Sequence, residues 1–372
     1  MAVRDSKARV EFVDAARLLG IFAVYYGHIV ERFMQLGGAD AALQYKFIYS
    51  FHMPFFFVIA GMVAKDWSGK AGVGTFLWSR VTSRLVPFLF FNLLLCGVSL
   101  LHKPDFPPFP LDTPADYLNA WKATATWLPF FNVPTWFLMG LVTVEIIHFA
   151  IFRFLRASTL RIAMAALVFY VGGYALNLDH AFFPDWNIWL WNEAITMYAF
   201  YLAGILLMRL DVARRLADRR VALAVAVIAV LAVYLTFDLN KGPFRMGYEA
   251  VVILAAAHGH WLLFPLTALA GTLALLTIGR LIEGSGWVRY LGRNVMVIFC
   301  LNGVFYHHIN GPFAAWLSAD GQPGVLALTA SAAMLSFVCV AATVPFVYLL
   351  NRYLPQLIGR PDVAGPLLPR LG

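Results

Sequence analysis

Apolar stretches recur along the whole chain, divided by short polar segments. Each is long enough to cross a hydrocarbon core of about 30 Å, which takes about 20 helical residues. They predict spans near residues 12–33, 46–64, 85–101, 133–152, 162–178, 188–208, 221–237, 260–279, 294–311 and 325–350. The expected fold is an all-α membrane protein, a polytopic bundle of about ten transmembrane helices. Residues 245–262 interrupt the regularity, because VVILAAAHGHW is apolar but short and reads either as a re-entrant piece or as an outer extension of span eight. The longest polar interruption, His102 to Asn132, contains KPDFPPFPLDTPADY and is too short and proline-rich for a core of its own. It is expected to cap or shape an external entrance. Residues 1–372 therefore read as a single integral membrane domain with no appended soluble domain. No internal repeat announces a transporter built from two related halves.

Composition strengthens this picture. Of 372 residues 61% are hydrophobic and 13% charged, against roughly 25% charged in an average soluble domain. The basic residues orient the spans, since cytoplasmic loops are enriched in Lys and Arg. With both termini in the cytoplasm, 21 of the 28 Lys and Arg fall in inner segments and 6 in outer ones, and Arg17 lies within the first span. The net charge of +8 then reflects topology and attraction to anionic headgroups, with no case for nucleic acid. Signal cleavage is not expected, because Arg17 interrupts the first apolar run and no convincing A-x-A site follows. Cys96, Cys300 and Cys339 are scattered in apolar runs and read as packing residues, neither a disulfide framework nor a metal site.

Ionisable residues inside the spans carry the candidate chemistry, because each costs a few kcal/mol on insertion and usually marks a substrate path, a relay or a catalytic centre. Arg17 and His28 stand eleven residues apart on the first span, which is about three helical turns and a rise of about 16 Å. They share one face. Asp14, three residues from Arg17, is placed to form an ion pair that orients it. His52, in FIYSFHMPFFFVIAGMVAK, lies at a depth similar to His28; Pro54 is expected to bend that helix and Gly61 to admit a close neighbour. A membrane histidine taken alone is as often interhelical glue as chemistry. Glu145 in span four either stays neutral, pairs with an arginine or sets a histidine tautomer, with His148 a turn away as the bland partner. Trp136 reads first as an aromatic-belt residue and second as a platform for a sugar ring. Glu193 reads first as solvated and second as part of an acceptor site, Asn92, Asn294 and Asn302 read as interhelical hydrogen-bonding residues, and His258, His260, His307 and His308 as outer residues able to bind substrate. No Walker loop, dinucleotide fingerprint, HExxH or cysteine cluster is present.

Five segments together resemble the integral membrane acyltransferase family three, which includes sugar O-acetyltransferases of bacterial polysaccharides and fucose 4-O-acetylase-like proteins. VDAARLLGIFAVYYGH is similar to its opening D-x-x-R, ten residues, then His, and FHMPFFFVIAG to its F-H-M-P-L-F-F-F-x-S-G. RVTSRLVP (Arg80 to Pro87) resembles its basic segment before span three, PTWFLMGLVTVE its W-F-L motif, and YLGRNVMVIF its Y-L-G-K-N-S-L-x-I-Y stretch. The matches fall in order over roughly residues 10–305. The chain departs from the pattern at Ala60, which stands for the serine, and at Asn302, in a stretch that often ends in histidine. No esterase-like domain of the kind fused to some members is expected.

The resemblance implies transfer of an acyl group, commonly acetyl, from acetyl-CoA or another acyl-CoA used as co-substrate, with no bound cofactor, to a sugar hydroxyl. A hydroxyl needs a base within hydrogen-bond reach, and imidazole titrates near neutrality. The expected catalytic set is therefore His28, His52 and Glu145, with His52 orienting His28, stabilising the oxyanion or relaying a proton. Arg17, Arg80 and Arg84 are the expected donor-binding residues, since arginine holds phosphate in two-pronged hydrogen bonds; Asp14 and Trp136 support them. The expected partners are acyl-CoA, a glycan or lipid-linked sugar acceptor and membrane lipids, and the expected location is a bacterial inner (plasma) membrane. The rival reading is a transporter or flippase for a sugar, lipid or anion, in which Arg17 binds and the histidines relay protons.

Overall fold

The computed structural model describes residues 11–67, 72–106, 110–179 and 187–371. Arg4, Lys7, Arg9 and Lys70 of the predicted inner segments lie outside them. In chain order the helices are α1 (Glu11–Gln35), α2 (Ala39–Tyr49), α3 (His52–Met62), α4 (Val73–Arg80), α5 (Val86–Leu101), α6 (Pro114–Thr126), α7 (Trp136–Leu155), α8 (Thr159–Asp179), α9 (Trp191–Arg209), α10 (Val212–Arg215), α11 (Arg219–Thr236), α12 (Leu263–Ile282), α13 (Gly286–Arg293), α14 (Val295–His308), α15 (Asn310–Leu317) and α16 (Val325–Tyr353). Among the described residues the one β-type contact is an isolated bridge between Val252 and Ala257. The protein is an all-α polytopic membrane protein. Among the described residues, eight helical stretches are long and apolar enough to cross a bilayer.

Those eight correspond to eight of the ten predicted spans; the other two take a different form. Span 46–64 is split into α2 and α3 by Phe51, whose backbone leaves the helical region (φ −141°, ψ −26°). The helix restarts at His52, so Pro54 falls in a first turn, where its missing N–H and its ring cost nothing. Predicted span 294–311 appears as the 14-residue α14 followed by α15. A short apolar helix of this kind suits the inside of a bundle better than a lipid face.

Helix α1 lies at the centre, packed against α2, α12, α13 and α16. Glycines set the spacing. A side chain at Gly279 would strike the α1 backbone at Phe12 and Ala16, and one at Gly292 would strike the Asp14 carbonyl. Gly61 of α3 faces the Tyr201 carbonyl while Gly204 of α9 faces the Val58 carbonyl, so these two helices approach through reciprocal gaps. Residues 245–262 are neither a helix nor an outer extension. They form an irregular segment whose Ala250, Val251, Ile253 and Ala255–His258 are buried, with a short 3₁₀ turn at Ile253–Ala255.

Candidate active site

Two cavities open along α1. The inner one, about 300 Å³, is lined by Arg17, Lys65, Arg80, Arg84 and Arg293, together with Glu145, His148, Trp67 and a group of phenylalanines. The outer one, about 200 Å³, is lined by His28, His52 and Glu31, by Tyr45, Tyr49, Tyr248 and Tyr306, and by Trp127 and Trp136. Inner and outer follow the distribution of basic residues along the chain.

The inner cavity gathers all three expected donor-binding arginines. Arg17 Nη1 donates to Asp14 Oδ1 at 3.0 Å, and the Asp14 side chain is only 3% exposed. A π-helical turn, Val81–Leu85, follows Arg80 directly and carries Arg84, a feature often found at functional sites. Both guanidinium groups converge on one atom, Glu145 Oε1, at 2.7 and 3.2 Å. Glu145 is thus an arginine partner on α7, in a different cavity from the two histidines with which it was grouped. Arg80 also lies over Trp67, at 5.4 Å from the ring centroid. His148, one turn beyond Glu145, bonds Tyr198 Oη at 3.2 Å. Two arginines against one carboxylate leave this wall cationic, with Arg17, Lys65 and Arg293 adding to it.

The outer cavity brings His28 and His52 together. His52 Nδ1–H donates to the Ile48 carbonyl at 2.9 Å. A carbonyl can only accept, so neutral His52 presents a lone pair at Nε2. His28 Nδ1 bonds Asn302 Oδ1 of α14 at 2.6 Å, which makes Nδ1 the donor and leaves Nε2 as the basic nitrogen. Tyr306 packs on the His28 ring at 4.6 Å and Tyr49 on the His52 ring at 4.5 Å. Trp136 is buried on the cavity wall, not in a lipid-facing belt.

Outer loops close this cavity. Phe106, Trp127 and Leu128 come from the segment expected to shape an entrance, and Val252, Ile253 and Leu254 from the irregular 245–262 stretch. Arg32 anchors them, donating to the Tyr306 carbonyl at 2.8 Å and lying 4.0 Å over the Phe106 ring, with Asp105 at 3.8 Å. Burial raises the Asp105 carboxyl above its ordinary pKa, against the pull of Arg32. His307 is held on both ring nitrogens, by the Phe106 carbonyl and by the Val133 N–H, and so has a structural place. His308 bonds His102 at 3.1 Å, and His258 stacks on Phe264. Glu193, read as solvated, is buried and receives Asn187 Nδ2 at 2.8 Å.

A thin aromatic wall separates the cavities. The consecutive residues Trp136 and Phe137 line different ones, as do Met53 and Phe56 on α3. Phe137 meets Phe56 at 5.7 Å and Phe299 at 5.9 Å between ring centroids.

Sequence reasoning missed Glu31 and treated Asn302 as a generic interhelical residue. Glu31 was discoverable by the rule that singled out His28, since it is an ionisable residue one turn further along the same span. A family model described as an acyltransferase domain, acyltransferase family 3, matches residues 10–352. No curated protein and no solved structure matches the chain.

Proposed function

The chain belongs to acyltransferase family 3, and from that premise we propose that it moves an acyl group, acetyl in the simplest case, from acyl-CoA in the inner cavity to a sugar hydroxyl in the outer one. The observation that carries this reading is the pairing, along one helix, of a cationic cavity with a histidine cavity, the consecutive residues Trp136 and Phe137 lining one each. Arg17, Arg80 and Arg84 would hold the CoA phosphates, which need several charge-assisted hydrogen bonds. The thioester arm then rises along α1 toward His28, a distance of about 16 Å. The location this implies is a bacterial plasma membrane, with the donor taken from the cytoplasm and the acceptor glycan or its lipid-linked precursor from outside.

In the transfer step the sugar oxygen attacks the thioester carbonyl and its proton passes to His28 Nε2. The new C–O bond forms, the C–S bond breaks, and the CoA thiolate leaves and is protonated. Asn302 fixes the His28 tautomer that this step needs. His52 has committed its N–H to Ile48, so in its neutral form it serves as a hydrogen-bond acceptor. That suits aligning the attacking hydroxyl or relaying its proton, and not an oxyanion contact. Glu145 holds the two arginines rather than the base.

The test uses the purified protein in nanodiscs with labelled acetyl-CoA, following free thiol and label on a glycan extract. Loss of transfer in His28→Ala with CoA binding retained, and weakened CoA binding in Arg17→Ala, is the expected result. Equal thiol release in wild type and both variants, or transport of a labelled solute without any acyl-CoA, overturns the reading in favour of a carrier.

A further inference from the structure

We propose that the outer cavity is built for a sugar ring that carries no negative charge, with Glu31 accepting its hydroxyl protons beside His28. This rests on the acyltransferase reading and narrows it to an acceptor class. The two cavities differ in their charge. Five cationic side chains line the inner one, whereas no lysine or arginine is among the described residues lining the outer one, where Glu31 is the single carboxylate.

Arg32, the nearest cation in sequence, does not line the cavity and lies behind its Phe106 and Tyr306 rings. Its guanidinium is taken up by the Tyr306 carbonyl, Gln35 and the Phe106 ring. Glu31 itself is 7% exposed and stands three residues from His28, a rise of about 4.5 Å on the same helix. A group that binds Glu31 is thus presented to the base. Tyr49 Oη reaches Glu31 Oε2 at 3.4 Å and Tyr306 adds a second hydrogen bond; a carboxylate offers about four lone-pair sites, so acceptor capacity remains. Hydroxyl groups are the complementary partner. Trp127, Trp136 and Tyr248 add flat apolar faces against which the C–H face of a sugar ring packs while its hydroxyls reach polar atoms. A carboxylate or phosphate on the ring would instead meet Glu31 in a desolvated space whose nearest cation, Arg32, is already engaged by Asp105, and there like charges repel more strongly than in water.

The experiment offers the nanodisc protein, with labelled acetyl-CoA, a mixture of neutral and anionic glycans, and identifies the labelled sugar by mass spectrometry as hexose, deoxyhexose or N-acylhexosamine on one side, or uronate, sialate or phosphosugar on the other. Label confined to the neutral class is expected. Glu31→Gln, which keeps the shape and removes the charge, is expected to raise the acceptor KM about tenfold, the loss of a charge-assisted hydrogen bond. It should also increase the share of label on anionic residues and leave CoA binding unchanged. Label on the anionic class in wild type overturns the inference and leaves the acyltransferase reading standing. So does Glu31→Gln with unaltered acceptor KM and unaltered discrimination. Should Glu31→Gln lose CoA binding through misfolding, the wild-type label distribution decides. Absence of any His28-dependent transfer in wild type overturns the acyltransferase reading and the inference with it.

Discussion

Asn302→Leu removes the acceptor that sets the tautomer of His28 and is the sharpest probe of the site. The bond it deletes is short, 2.6 Å from His28 Nδ1, and Asn302 is fully buried. With leucine in place the Nδ1–H has no acceptor, and an orphaned buried donor costs about 1–3 kcal/mol. The imidazole escapes that cost by rotating or by moving its proton to Nε2, and either change removes the base from the reacting hydroxyl. At 1.36 kcal/mol per decade the expected loss in kcat is roughly 5- to 150-fold. The KM for acyl-CoA should not move, since its phosphates are expected about 16 Å away along α1. Asn302→Asp keeps an acceptor at the same place and should retain activity within about tenfold, because the bond to Nδ1–H is preserved. Single-turnover transfer with saturating acyl-CoA gives kcat directly, and CoA titration gives the control. Full kcat in Asn302→Leu would refute the assignment of Asn302 as the residue that positions His28.

Other expectations follow from contacts elsewhere in the bundle. Arg80→Ala and Arg84→Ala each remove a guanidinium from the inner cavity and should raise the acyl-CoA KM about 10- to 150-fold, the range of a charge-assisted hydrogen bond, with kcat nearly unchanged in a steady-state assay. Phe137→Ala thins the wall between the cavities and should increase acceptor-independent hydrolysis of acyl-CoA, measured as thiol release without label transfer; it should also cost about 3–5 kcal/mol of stability in a thermal unfolding assay. Gly61→Val drives a side chain into the Tyr201 carbonyl where α3 meets α9, and overpacking of this kind costs about 1–3 kcal/mol or more. Its signature is a lower melting temperature and a smaller monodisperse fraction in size-exclusion chromatography.

Helices and candidate residues differ in how much of them a sequence can carry. A span's length and hydropathy are local properties, so the long helices were legible, and so was the conspicuous position of Arg17 and His28. The break at Phe51 was not, because nothing in FIYSFHMP dictates where a proline-bearing segment restarts its helix; tertiary packing of α3 on α9 decides it. Trp136 misled for a related reason. An aromatic residue near a span end reads as a belt residue, and only the packing of Phe137 against Phe56 and Phe299 turns its neighbour inward. Asn302 lies 274 residues from His28, and no periodicity connects the two. Glu145 was recognised as costly but could not be assigned, since its partner was one of several arginines equally open in sequence.

The wall between the cavities bears on direction. An enzyme that only needed to join two soluble substrates would place both in one cleft, whereas here the cationic lining and the tyrosine-rich lining are kept apart by Phe56, Phe137 and Phe299. On the acyl-transfer reading proposed above, a slim thioester arm would cross this partition while the phosphates of the donor and the ring of the acceptor would not. The two large substrates would then stay on their own sides, and the acyl group would be what passes between them. Helix α1 enforces the register of that exchange because Arg17 and His28 are fixed to the same rigid rod, clamped by Gly279 and Gly292 at its inner end and by Arg32 at its outer end. A variant that loosened either clamp should therefore lose transfer before it loses donor binding, because binding needs one cavity and transfer needs both in register.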